Sequence, residues 1–115
     1  MSKAASGIYY ASTLVADGTT TVRQMFMPDH VDDIQIITVG ATTPTGTVEQ
    51  TYSSPDEVAA ATAVWVALPQ THTIAAGVVV SKLADAAGFQ VTPTAIRVTR
   101  TAGTIFLRMS GKYRR

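Results

Sequence analysis

The chain has 115 residues, no cysteine, nine basic and eight acidic residues, and a formal charge of +1. That composition excludes disulfides, cysteine–zinc sites and thiol catalysis, and it lacks the basic excess that grips a phosphate backbone. The length suits a single domain over 1–115 that buries roughly two-thirds of its unfolded surface.

Strand signals run through most of the sequence: β-branched and aromatic residues alternate with polar ones between Gly, Pro, Asp and Ser clusters. A first strand is predicted from Ile8 to Val15 and closes at the Asp17-Gly18 turn. Thr21 to Met27 is the second and ends at Pro28-Asp29; Ile34 to Val39 is the third and ends at Gly40; Thr47 to Tyr52 is the fourth. Ser54-Pro55-Asp56-Glu57 then reads as a capping box with Pro in the first turn, so one or two helical turns are predicted over the following alanines. Ala63 to Leu68 is the fifth strand, Gly77 to Ser81 a weaker sixth, and Lys82 to Ala87 is read as a single turn. The last two strands, Ala95 to Arg100 and Thr104 to Met109, flank Thr101-Ala102-Gly103, which reads as a hairpin loop. In this pair Ile96, Val98, Ile105, Leu107 and Met109 are predicted to face one side, with Arg97, Thr99, Phe106 and Arg108 opposite. The fold class is therefore all-β: an antiparallel β-sandwich or jelly roll of about eight short strands. The spacing leaves no room for crossover helices. Residues 1–7 and 111–115 read as flexible arms.

Charged residues make up only 15% of the chain, against about a quarter in ordinary domains. A surface so poor in charge is weakly protected against association, and part of it is expected to be covered by copies of the chain or by a partner. No apolar leader opens the sequence, and the apolar run at Val78 to Val80 is too short to cross a bilayer. The expectation is synthesis in a cytoplasm with no self-encoded route out, and no membrane partner.

Groups that could do chemistry are few. Asp29-His30-Val31-Asp32-Asp33 is the one dense carboxylate–imidazole cluster, but it matches no established ligand spacing and lies where solvated turn residues gather. A metal-dependent or hydrolytic centre at His30, Asp32 and Asp33 is the lesser reading. His72 stands among hydroxyl residues, Gln70-Thr71-His72-Thr73, with no orienting carboxylate nearby in sequence. No Gly-x-Ser-x-Gly elbow, Gly-rich phosphate loop or dinucleotide fingerprint occurs. The expectation is no catalytic residue, cofactor or metal, no small-molecule substrate and no nucleic acid. Trp65 lies in an alternating strand, where the core is the default place for it. The rival is an exposed aromatic platform for glycans or a host surface.

Two stretches carry a resemblance. Gly46-Thr47-Val48-Glu49-Gln50-Thr51-Tyr52 followed by Ala63-Val64-Trp65-Val66-Ala67-Leu68-Pro69 is one, and Thr94 to Leu107, with Ala95-Ile96-Arg97-Val98-Thr99 and Gly103-Thr104, is the other. They resemble small structural proteins of tailed bacteriophages, which carry a Val-Glu-x-Ser…Trp-x-x-Leu pattern and close on Ala-Ile-Arg-Val-Thr…Gly-Thr. The resemblance covers about half the chain, and its motifs are strand patterns rather than chemistry. It implies a capsid decoration (cement) protein of the virion that binds the major capsid protein lattice as a homo-oligomer, dimer or trimer; the related alternative is a tail or neck protein. Met1, Ser2, Lys3, Lys112, Tyr113, Arg114 and Arg115, in the two arms, are the candidate partner-binding residues.

Overall fold

A computed structural model describes residues 7–28, 31–68, 72–82 and 93–113. The chain is all-β and antiparallel, as expected: β1 Ile8–Tyr10, β2 Leu14–Ala16, β3 Val22–Phe26, β4 Val31–Thr51, helix α1 Pro55–Ala59, β5 Trp65–Ala67, β6 Gly77–Lys82 and β7 Ala95–Tyr113. No helix among the described residues is long and apolar enough to cross a membrane.

Two of the predicted boundaries are absent. The third and fourth predicted strands are one strand, β4, and the predicted C-terminal hairpin is one strand, β7. Thr101-Ala102-Gly103 does not reverse the chain. β7 runs through it and stays paired with β4 from Tyr113↔Val31 to Ala95↔Thr51, with register shifts where Ala41 to Gly46 pass Arg100 to Thr104. A glycine at positive φ serves a bulge as well as a hairpin turn, and here both flanks of Gly103 find partners on the same neighbouring strand. Gly111 to Tyr113, read as the start of an arm, also belong to β7: Lys112 pairs with Ile8, and Tyr113 with Val31. The predicted turn at Lys82 to Ala87 falls outside the described residues from position 83 onward.

The bulged corner divides the β4–β7 ribbon into two layers, the first built from five strand segments and the second from four. In the first, β1 and β2 lie beside the C-terminal half of β7, and β6 lies beside the N-terminal half of β4. In the second, β3 lies beside the N-terminal half of β7, and β5 beside the end of β4. Corners of this kind, where strands pass between layers through a bulge, are one way to build a sandwich from a single sheet. The inward residues of both layers form one core: Ile34, Ile36, Ile105, Leu107 and Met109 from the first, Val48, Ile96 and Val98 from the second, with Ala16 and Leu68. The buried set on β7 changes from even to odd numbers across the corner, which is the sign of the extra residue.

The corner needs glycine. Gly103 has φ +69°, and a Cβ there would lie 2.6 to 2.8 Å from Thr42 O, Ala41 O and Pro44 Cα. A Cβ on Gly46 would strike the carbonyl oxygen of Thr99. Arg100 closes the bulge by donating from Nε to the Gly103 carbonyl at 2.7 Å. Thr42 and Thr43 both hold positive φ in the same corner, an unfavourable state for β-branched residues. The β4–β7 pairing on either side holds them there.

The local predictions hold where they depend on neighbours in sequence. Ser54 Oγ accepts from the Glu57 backbone N–H, and Glu57 Oε1 accepts from the Ser54 N–H, which completes the capping box. Helix α1 is a turn and a half and buries Val58. At the Asp17 turn, Oδ1 accepts from the N–H groups of Thr19 and Thr20. Those two bonds hold the Asp17 carboxyl below its ordinary pKa, with Arg100 and Arg23 adding to the effect.

Candidate interaction surface

Each layer turns its second face outward, and the outward face of the first layer is apolar. Alternation along β4 sends Ile36 and Thr38 inward and Ile37 and Val39 outward. Directly paired residues in antiparallel strands share a face, so the register assembles one row from four strands: Val78 on β6, Val39 on β4, Phe106 on β7 and Val15 on β2. Beside it runs a second row, Val80, Ile37 and Arg108. Val78 is 66% exposed and Val80 52%; Ile37, Val39, Phe106 and Val15 are half-buried among one another. The rim is polar or amphipathic, with Gln35 and Ser110 paired and Tyr10 beyond Ser110. An apolar centre with one Arg and a Tyr at its margin is the anatomy of a protein–protein interface.

The outward face of the second layer is organised differently. Arg97 donates from Nε and Nη2 to Glu49 Oε1 and lies 4.3 Å above the ring of Trp65. Trp65 is thus not in the core, which corrects the default placement. Strand β5 pairs Trp65 with Thr51, and the face they share is the outer one, where Glu49 and Arg97 also stand. One face of the indole is occupied by its own guanidinium, and that guanidinium is held by its own carboxylate.

His72 is the buried titratable group. It is 8% exposed, and its ring joins two strands: Nε2 lies 2.7 Å from Thr38 Oγ1 on β4, and Nδ1 lies 2.7 Å from Ser81 Oγ on β6. A neutral imidazole suits this site, with one nitrogen donating and the other accepting, because each hydroxyl can do either. Burial lowers the His72 pKa. A histidine that resists protonation in the fold, but accepts a proton freely when unfolded, contributes stability that is full above about pH 6.5 and declines below it. The urea midpoint of the chain is expected to fall between pH 7 and pH 5, and His72→Gln is expected to flatten that fall. An unchanged slope in His72→Gln would remove the histidine as its cause.

Of the candidate partner-binding residues, Lys112 and Tyr113 fall among the described residues. Met1, Ser2, Lys3, Arg114 and Arg115 lie outside the described residues, as do Asp29 and His30. Lys112 projects outward from β7, while Tyr113, 48% exposed, meets the Tyr9 ring edge-on with 5.9 Å between ring centroids. Asp33 sits at positive φ in a separate register shift of β4 against β7, between Asp32 and Gln35. Among the described residues no group of three His, Asp or Glu could hold a metal ion. Sequence reading missed the Val78–Val39–Phe106–Val15 row, whose members stand in four separate segments. The chain matches no family model, no curated protein and no solved structure.

Proposed function

We propose that this chain is a structural protein of a bacteriophage particle, a capsid decoration protein that adheres to the lattice of the head shell and stiffens it. The observation that supports this reading best is the outward apolar face of the first layer, centred on Val39 and Phe106 and rimmed by Arg108, Gln35 and Tyr10. Fully burying one valine contributes about 1.5 to 3 kcal/mol. Docking Val78 and Val80, each more than half exposed, therefore supplies about 2 kcal/mol before the rest of the face is counted. The low charge of the chain suits a passive adhesive, because few ions must be stripped of water at the contact. In this reading the chain is no enzyme and takes no cofactor; it works as an oligomer in the virion, and shell binding clamps neighbouring capsomers together.

The glycan-binding alternative needs an open aromatic ring for a sugar to stack on. Arg97 covers one face of Trp65, while Tyr10 and Tyr52 are 67% and 50% exposed. The test is co-sedimentation of the purified chain with head shells that lack it. Saturable binding at a fixed ratio to the shell protein is expected, while absence of binding at micromolar concentrations would overturn the proposal.

A further inference from the structure

Among the described residues strand β6 is an edge. It pairs with β4 through Lys82↔Gln35 to Val78↔Val39, and among the described residues nothing pairs with its other side. Natural edge strands are usually blunted by proline, bulges or central charge. The run Gly77-Val78-Val79-Val80-Ser81 has none of these, and its one charge, Lys82, stands at the end.

We infer that β6 is a self-pairing strand that joins two copies of this chain edge to edge, antiparallel, about a two-fold axis at Val79. The register follows from the faces. Val78 and Val80 point outward, while Val79 and Ser81 lie opposite the inward residues Thr38 and Ile36. Opposed residues must share a face, so a slip of one residue would set outward valines against inward positions. Centring on Val79 opposes Val78 to the second copy's Val80, Val79 to Val79 and Gly77 to Ser81. It uses the whole strand and is closed by two-fold symmetry. It also opposes no like charges, because the two Lys82 residues stand at opposite ends of the paired run. Shifts of two residues shorten the paired run, and one of them sets Lys82 against Val78.

The second copy is the occupant because β6 complements itself in sequence, face and charge. The edge alone buries well under the roughly 1,000 Å² of a stable interface, so pairing in solution is weak. Its consequence rests on the proposed function: the two first layers become one sheet with their apolar faces on the same side, and both engage a lattice at once, which raises effective affinity.

The absence of native cysteine makes the test clean. Val78→Cys and Val80→Cys chains, carrying tags of different mass, are mixed in solution without particles and oxidised. Both sites are exposed, so folding is unaffected. The register predicts several-fold more Val78–Val80 heterodimer than either homodimer, and Val79→Cys is expected to yield a homodimer, while Val22→Cys on the exposed edge strand β3 does not. Equal homo- and heterodimer yields, or Val79→Cys trapping no better than Val22→Cys, would overturn the pairing. Shell binding is not involved, so failure here leaves the adhesive reading standing, and failure of shell binding leaves the pairing standing.

Discussion

Gly103→Ala is expected to cost the protein at least about 3 kcal/mol. Two effects add. An alanine at φ +69° carries about 1 to 2 kcal/mol of left-handed strain. Its Cβ must also displace backbone atoms of Ala41, Thr42 and Pro44 that lie 2.6 to 2.8 Å from where it would stand, and those atoms belong to the partner strand at the register shift. Neither side can yield without breaking pairing at the corner, where the chain passes from one layer to the other. A chain of this size typically has about 5 to 15 kcal/mol of stability in all, so chemical denaturation should show a large drop in midpoint. Ala102→Gly, one residue away, is the comparison, and a loss of less than about 1 kcal/mol is expected there. Equal midpoints for Gly103→Ala and the unaltered chain would mean that the corner is not built as described.

If the chain adheres to a head shell as proposed, Val39→Asp is expected to weaken that binding by about 30- to 1,000-fold. Val39 lies between Val78 and Phe106 in the centre of the outward row. In the free protein a carboxylate there still reaches water, so the fold loses little. In a docked face it would be buried at the apolar centre, with Arg108 standing diagonally from it in the neighbouring row, and a central position of that kind is worth about 2 to 4 kcal/mol. Val22→Asp, on the outward face of the second layer, supplies the contrast and should bind as the unaltered chain does. Circular dichroism and thermal unfolding separate lost binding from lost fold. If both substitutions weaken binding alike, net charge rather than this face governs adhesion.

What the sequence disclosed depended on how far apart the interacting residues stand. The capping box at Ser54 and Glu57 and the turn at Asp17 are closed by residues within three positions, and both are as predicted. Alternation put Ile96, Val98, Ile105, Leu107 and Met109 on one face without any knowledge of their partners, and that face proves to be the buried one. Gly103 was legible as a residue at positive φ, but whether such a residue turns a hairpin or bulges a strand is decided by the neighbouring strand, more than fifty residues earlier. Trp65 shows the same limit. Alternation assigns two faces without saying which is inner, and the choice fell to Thr51 and Arg97, which meet it across strands. The partners of His72, Thr38 and Ser81, lie 34 and 9 residues away. The apolar outward face was the least legible feature, because Val15, Val39, Val78 and Phe106 become neighbours only through three separate registers.

Copy number decides the central claim most directly. If the chain is a particle protein as proposed, quantitative mass spectrometry of purified particles from its source would compare it with the major shell protein. Decoration predicts near-equal copies, or a simple fraction such as one-half or one-third. A handful of copies per particle would place the chain in the tail or neck, and its absence from the particle would contradict the structural reading altogether.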